Sequence, residues 1–330
     1  MADLTSNYMG LILKNPIIAG SSSLSSTVGQ IKELETNGAA AIVLKSIFEE
    51  EIISDIKNHL DSAERNSLIY TDKSETLDYI DLHMKEDSLR NYINLIRESK
   101  KEILIPIIAS INCISDSEWI SFAGKIEDAG ADALELNIFL NPSDNSDLDF
   151  EKVYHNIIRN VLSKIKIPVS VKLGQNFTKP ENFITGLSKT GIKGLVLFNR
   201  FYLPDIDIDK IILKQADQLS SPADFYQVLR WIGILSGKVN CSLAASTGIY
   251  DGASIIKQIL AGADVVQVVS AIYKYSPQHI NKMLAEIELW MDQHGFNQLS
   301  QFKGKLNIVQ GKNPAVYERL QFMKYFGGIN

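Results

Sequence analysis

DAGADALELN, Asp128 to Asn137, is the stretch on which the fold reading turns. An amphipathic segment runs into a Gly, small residues follow, and a short apolar run begins. The Gly suits a helix C-cap, and the run after it suits a strand buried on both faces. The same grammar recurs in NGAAAIVLK (37–45), TGIKGLVLFN (190–199) and AGADVVQVV (261–269). Each reads as the αβ joint of a parallel sheet.

Four further apolar runs, Ile17 to Gly20, Ile105 to Ser110, Pro168 to Leu173 and Val239 to Ala244, bring the predicted strands to eight. Amphipathic stretches separate them, among them Val28 to Asn37, Ser117 to Ala129, Phe150 to Ile165, Pro222 to Leu235 and Gly252 to Leu260. An open doubly wound sheet shares this grammar. Eight βα units instead point to an α/β fold of the (β/α)8 TIM-barrel type, one domain over residues 1–330.

Hydrophobic residues make up 45% of the 330 positions and charged residues 22%, which excludes disorder, collagen and a coiled-coil rod. A net charge of -6 offers no basic field for a phosphate backbone, so a small-molecule substrate is expected and nucleic acid is not. The two cysteines, Cys113 and Cys241, form no C-x-x-C pair and suggest no disulfide framework, zinc site or iron–sulfur cluster. A reducing cytoplasm fits. The N-terminus has no basic start followed by an apolar run, and no stretch approaches the ~18 apolar residues of a membrane span. Neither secretion nor a membrane is expected.

Two connections exceed the usual loop length, residues 46–104 after the second strand and 200–221 after the sixth. Both start at strand C-terminal ends, where barrel active sites lie, and are read as covers of that face. The tail after Met283 carries a final helix and a polar stretch whose amphipathic end suits docking on the barrel or on a second subunit.

Strand alternation places Glu135 with Asn137, Ser170 with Lys172, and Ser110 with Asn112 on common faces. Lys45 and Asn199 end their strands. Taken singly, each suits a solvated strand end. Together, Lys45, Asn137, Lys172 and Asn199 imply a polar ligand that satisfies them at one mouth. The turns SLAASTGIYDGASI (242–255) and VQVVSAIYKY (266–275) add small residues and a helix N-terminus, the usual barrel arrangement for a phosphate.

The order NPIIAGSS, IVLKS, ELN, VSVKL, LVLFN, AASTGI and VVSAI resembles the dihydroorotate dehydrogenase family from about Asn15 to Lys305. The resemblance implies an FMN-dependent barrel of pyrimidine biosynthesis, cytoplasmic and homodimeric, oxidising dihydroorotate to orotate. It places Gly20 and Ser21 against the flavin, Lys45 and Ser46 beside its ring, and Lys172 near its pyrimidine edge. There a cation stabilises the reduced flavin's negative charge. Asn137 and Asn199 match asparagines that bond flavin or substrate, Lys45 is shared with substrate, and Thr247, Gly248 and Ser270 match the phosphate cradle. Arg200 suits a substrate carboxylate and equally a surface ion pair.

Two features depart from the family. Its base is a Cys or Ser in E-L-N-x-S-C-P-N, and the aligned ELNIFLNPSD (135–144) puts Leu140 at that position, a side chain that accepts no proton. The substrate-holding N-x-x-G-L-P-N has no counterpart in SLIYTDKSETLDYIDL (67–82). FEE (48–50), FNRFYLPDID (198–207) and RWIGIL (230–235) are shared with a subgroup regarded as keeping the FMN site while lacking catalytic residues. Ser143, Asp144 and Cys113 are the available replacements, though each also suits a turn or a small buried residue. Three readings follow: an FMN-dependent oxidoreductase acting on dihydroorotate, another dihydropyrimidine or an enone; a catalytically degenerate FMN-binding regulatory or interaction protein; or a phosphate-binding barrel without flavin. PDIDIDK (204–210) lacks the Gly and distal Glu of a calcium loop, and the five His show no ligand spacing, so no metal is expected.

Overall fold

The computed structural model describes residues 2–49, 73–113, 116–140, 149–175, 177–200, 203–311 and 317. An N-terminal hairpin, β1 (Ser6–Tyr8) and β2 (Leu11–Leu13), precedes the barrel. The strands that follow are β3 (Ile17–Ala19), β4 (Ala41–Val43), β5 (Ile47–Phe48), β6 (Ile107–Asn112), β7 (Ala133–Asn137), β8 (Val169–Leu173), β9 (Gly194–Leu197), β10 (Pro204–Asp207), β11 (Ile212–Gln215), β12 (Ser242–Ser246) and β13 (Val265–Val268). Eight parallel strands close as β3-β4-β6-β7-β8-β9-β12-β13 and back to β3, so the closed barrel expected from the repeats is what forms. Short β5 adds to the C-terminal end of β6.

The helices are α1 (Val28–Thr36), α2 (Lys73–Glu102), α3 (Asp116–Asp128), α4 (Phe150–Lys164), α5 (Pro180–Leu187), α6 (Phe225–Leu235), α7 (Gly252–Ala261), α8 (Ser270–Tyr275) and α9 (His279–His294). In α4, Tyr154, Ile157, Ile158 and Val161 bury one stripe at the 3.6-residue period, and the Asp149 carboxylate accepts from Lys152 N at 3.3 Å to cap its start. The glycine of each repeated joint, Gly38, Gly130, Gly191 and Gly262, has positive φ, a conformation that costs L-residues with a Cβ about 1–2 kcal/mol. Carboxylates tie the chain entering the strands: Glu127 Oε1 accepts from Lys166 N at 2.6 Å and Ile167 N at 3.0 Å, and Glu35 does the same for Leu104 and Ile105.

Three expectations need correction. The third and seventh barrel strands begin at Ile107 and Ser242, two and three residues later than the apolar runs suggest. Pro106 has no N–H for a ladder, and β12 starts where Ser242 meets Gly194 in register. Apolarity marks burial, not where pairing begins. Finally, the connection after the second strand is not wholly a cover. Its residues 73–102 form α2, which packs between α1 and α3 in the outer ring. Residues 50–72 of that expectation lie outside the described residues.

Tyr92 of α2 locks this helix to β6, its hydroxyl donating to Ser110 O at 3.1 Å and accepting from Ser110 N at 2.8 Å. Tyr92→Phe leaves Ser110 N without its acceptor and is expected to cost about 1–3 kcal/mol, read as a lower urea midpoint with an unchanged slope.

The apolar core has two parts. One lies between the sheet and the helices. The other fills the lumen with Ile18, Val43, Ile108, Val196, Ala244 and Val265, closed from below by Tyr8, Met9 and Leu13 of the hairpin. A Cβ at Gly194 would meet Met9 Cγ at 2.9 Å and the Tyr8 hydroxyl at 3.0 Å, so only Gly admits this plug. Above the apolar layer the lumen turns polar.

Candidate functional site

In the sheet register Glu135 faces Ser170 and Asn137 faces Lys172, which stacks two polar layers toward the C-terminal mouth. Glu135 is 1% and Lys172 8% exposed, and their charged atoms approach to 3.9 Å. Among the described residues the Lys172 ammonium makes no hydrogen bond. Asn199 Nδ2 donates to Asn137 Oδ1 at 3.0 Å, so the two asparagines at the ends of β7 and β9 form one amide pair. On the other side a chain of hydroxyls joins three strands: Ser21 Oγ lies 3.1 Å from Ser46 Oγ, which lies 2.7 Å from Ser110 Oγ.

The turn after β12 carries Thr247 at φ 87 and Gly248 at φ 76. Thr247 Oγ1 donates to Phe198 O at 3.1 Å. Gly248 N donates to Ser220 Oγ at 3.3 Å, and Ser220 N and Oγ donate to Ser270 Oγ at 2.9 and 3.0 Å. The cover after the sixth strand therefore reaches the last two βα turns through Ser220. Its outer part is the β10–β11 hairpin, and Arg200 Nη1 at its base donates to Gln218 O at 2.5 Å.

These elements enclose a cavity of about 150 Å³ lined by Ser21, Lys172, Asn199, Arg200, Thr247, Gly248 and Ser270, with Gln218, Ser220, Ser246 and Gln267. Two cations and no carboxylate line it among the described residues, so its field favours an anion. Pockets that bury a whole drug-sized ligand hold roughly 300–1,000 Å³, so these walls suit one end of a ligand as large as FMN. The donor set of ammonium, guanidinium, amide, hydroxyls and turn backbone fits a phosphorylated, acceptor-rich group. Gln267 Oε1 in its wall is an acceptor without a hydrogen bond, so it calls for an N–H or O–H donor on a ligand.

The structure thus brings together most of the residues expected at the site. Asn137 and Ser46 join through their partners Asn199 and Ser21, and Gly20 N is tied to Val268 O at 3.0 Å beside Ser21. Lys45 is exposed beyond β4 and does not line this cavity. At the N-terminus of α7 the Asp251 carboxylate accepts from Ser254 N at 2.7 Å.

Sequence reasoning passed over Gln267, Ser246 and Ser220. Gln267, alone and polar within the apolar run VVQVV, carried the signal. Ser220 lies in a loop whose path the sequence does not reveal.

Leu140 is half-buried and lines a different cavity of about 390 Å³, with Phe139, Tyr154 and Phe177. Ser143 and Asp144 lie outside the described residues. Burial, with Glu49 and Glu118 nearby, pushes the Cys113 thiol far above its ordinary range, and burial with Asp264 pushes Cys241 up to about 12. A raised folded-state pKa keeps both thiols protonated at pH 8, where an unfolded thiol, with pKa about 8.5, is partly ionised. Native protein is expected to react with a thiol reagent at pH 8 much more slowly than the same chain in denaturant, where both cysteines titrate.

A (β/α)8 barrel with a polar, cation-bearing cavity at its C-terminal mouth is the class these observations define. Within it, the model of the dihydroorotate dehydrogenase family matches residues 3–291, and the chain belongs to that family. It is similar to the dihydroorotate dehydrogenase B (NAD(+)) catalytic subunit of Thermoplasma volcanium, 26% identical over 322 residues that cover 92% of this chain and 98% of the relative. The subunit of the same description from Thermoplasma acidophilum is 24% identical over 312 residues, 92% and 99% of the two chains. That from Methanocella arvoryzae is 26% identical over 278 residues, 82% and 87%.

Proposed function

We propose that this chain binds FMN at the barrel mouth and acts as a cytoplasmic, homodimeric oxidoreductase of the dihydroorotate dehydrogenase type on a small-molecule substrate. Lys172 carries the reading: a nearly buried cation with no hydrogen bond among the described residues, met only by Glu135 at 3.9 Å, in a cavity whose described lining presents hydroxyls, amides and a second cation. FMN, when bound, supplies a hydride acceptor. Gly20, Ser21, Lys45, Ser46 and the Asn137–Asn199 pair would contact its ring, and Thr247, Gly248 and Ser270 its phosphate. Lys172 would set positive charge against the ring, where negative charge grows on reduction. Lys45, Asn137, Asn199 and Arg200 would hold the substrate, Arg200 through a carboxylate.

Proton abstraction is the weak step. Leu140 has no group to accept a proton, and Cys113 stays a thiol, so proton transfer falls to the 141–148 segment that holds Ser143 and Asp144, or is lost. A missing base lowers rate by roughly 10² to 10⁴. The separate setting of Leu140 favours a second reading, an FMN-binding regulatory or interaction protein without turnover.

Two measurements test this. Heat-released extract of the pure protein is expected to contain FMN near one per chain; a colourless protein that takes up no added FMN sinks the flavin reading. Anaerobic mixing with dihydroorotate then separates the others. Bleaching of the flavin band supports the dehydrogenase, bleaching only with another dihydropyrimidine supports altered specificity, and an unchanged spectrum with all of them supports the second reading.

A further inference from the structure

Beneath the mouth, a side-chain bridge spans the lumen. In the ring of strands three others separate β7 from β13 on either side, so the two are opposite walls. Yet Gln267 Nε2 on β13 donates to Glu135 Oε2 on β7 at 2.6 Å. This bond crosses the whole barrel. Glu135 is 1% and Gln267 2% exposed, and Gln267 also lines the polar cavity, so one end of the bridge reaches its wall.

The bridge holds a carboxylate close to the cation of the site, with Glu135 Oε1 3.9 Å from Lys172 Nζ and without a hydrogen bond. Tyr8 and Ser170, both beside Gly194, bring two more buried hydroxyls into the same lumen. Burial first, and then the charge of Glu135, raise the Tyr8 hydroxyl well above its ordinary range. A carboxylate buried with one oxygen unmet is costly, and apolar residues fill the layer below it without that cost. Stability alone does not account for its place.

We propose that Glu135 is a positioning residue that acts on the bound flavin through Lys172. Gln267 fixes the carboxylate, the carboxylate holds the ammonium and offsets part of its charge, and the remainder sets how much more tightly the site holds reduced, negatively charged FMN than oxidised FMN. This rests on the FMN reading above and adds to it a determinant that touches neither ring nor substrate.

The test is the flavin midpoint potential of the holoprotein, from anaerobic dye-linked titration, for wild type, Glu135→Gln, Glu135→Met and Ser170→Ala. Removing the acid leaves Lys172 with its full charge, so both Glu135 variants are expected to favour reduced FMN tenfold or more, an upward shift of about 30 mV per tenfold for a two-electron couple. Ser170→Ala changes a lumen hydroxyl but no charge and leaves the midpoint in place, which a merely structural role for Glu135 would also predict of its own variants. An unchanged or lowered midpoint in the Glu135 variants overturns the inference. So does loss of oxidised FMN from both when circular dichroism shows the fold intact, because the cation remains. A wild-type protein that holds no FMN overturns the reading of the site, and this inference with it.

Discussion

Lys172→Met is expected to lower the unfolding free energy by about 3 kcal/mol and to weaken FMN binding at least tenfold. The stability loss follows from what the substitution leaves behind. Glu135, 1% exposed, loses the cation 3.9 Å away and keeps a single hydrogen bond, from Gln267. Removing one partner of a buried pair typically costs about 3–5 kcal/mol, and the separation here puts the effect at the lower end. Urea unfolding of the apo chain measures this without reference to any ligand. Equal midpoints for the two proteins would show that the lumen does not hold a charge that Lys172 compensates. The binding loss follows from taking away one of the two cations among the described residues that line the cavity, and fluorescence titration with FMN measures it.

Gly248→Ala is expected to be as damaging by a different route. At φ 76 the residue sits where a Cβ is strained, and that Cβ would lie 2.4 Å from Phe225 N and 2.7 Å from Phe225 Cα. Both are backbone atoms at the start of α6, so no rotamer change relieves the clash and either the turn or the helix must move. The left-handed conformation alone costs an L-residue about 1–2 kcal/mol, and the displacement brings the expected loss to about 3 kcal/mol. Moving the turn also breaks the contact of Gly248 N with Ser220 and misplaces Thr247 relative to Ser270. A fall in melting temperature with parallel loss of retained FMN is the expected pair of results. Full FMN retention with a lowered melting temperature would separate the turn from the phosphate.

The barrel was legible because its signals are local. A glycine that must take positive φ and a following run buried on both faces are each written in a few consecutive residues, four such joints and four further apolar runs give eight strands, and the alternation of strand side chains puts Glu135 with Asn137 and Ser170 with Lys172 without any knowledge of the fold. Strand starts were less legible, since Ile105 and Val239 are as apolar as the residues that pair. Long α2 was hidden because the connection was read by its length and not by its helical content.

What the sequence by itself determined is therefore the eight barrel strands, which of their side chains share a face and the apolar character of position 140. Only the tertiary structure decided which walls of the barrel oppose each other, and with that the Gln267–Glu135 bridge, the Asn199–Asn137 pair and the reach of Ser220 to Ser270. It also decided that Leu140 faces a cavity apart from Lys172. The physical reason is closure: alternation fixes the direction of a side chain relative to its own strand, whereas the partner across the lumen depends on how many strands close the ring and in what order.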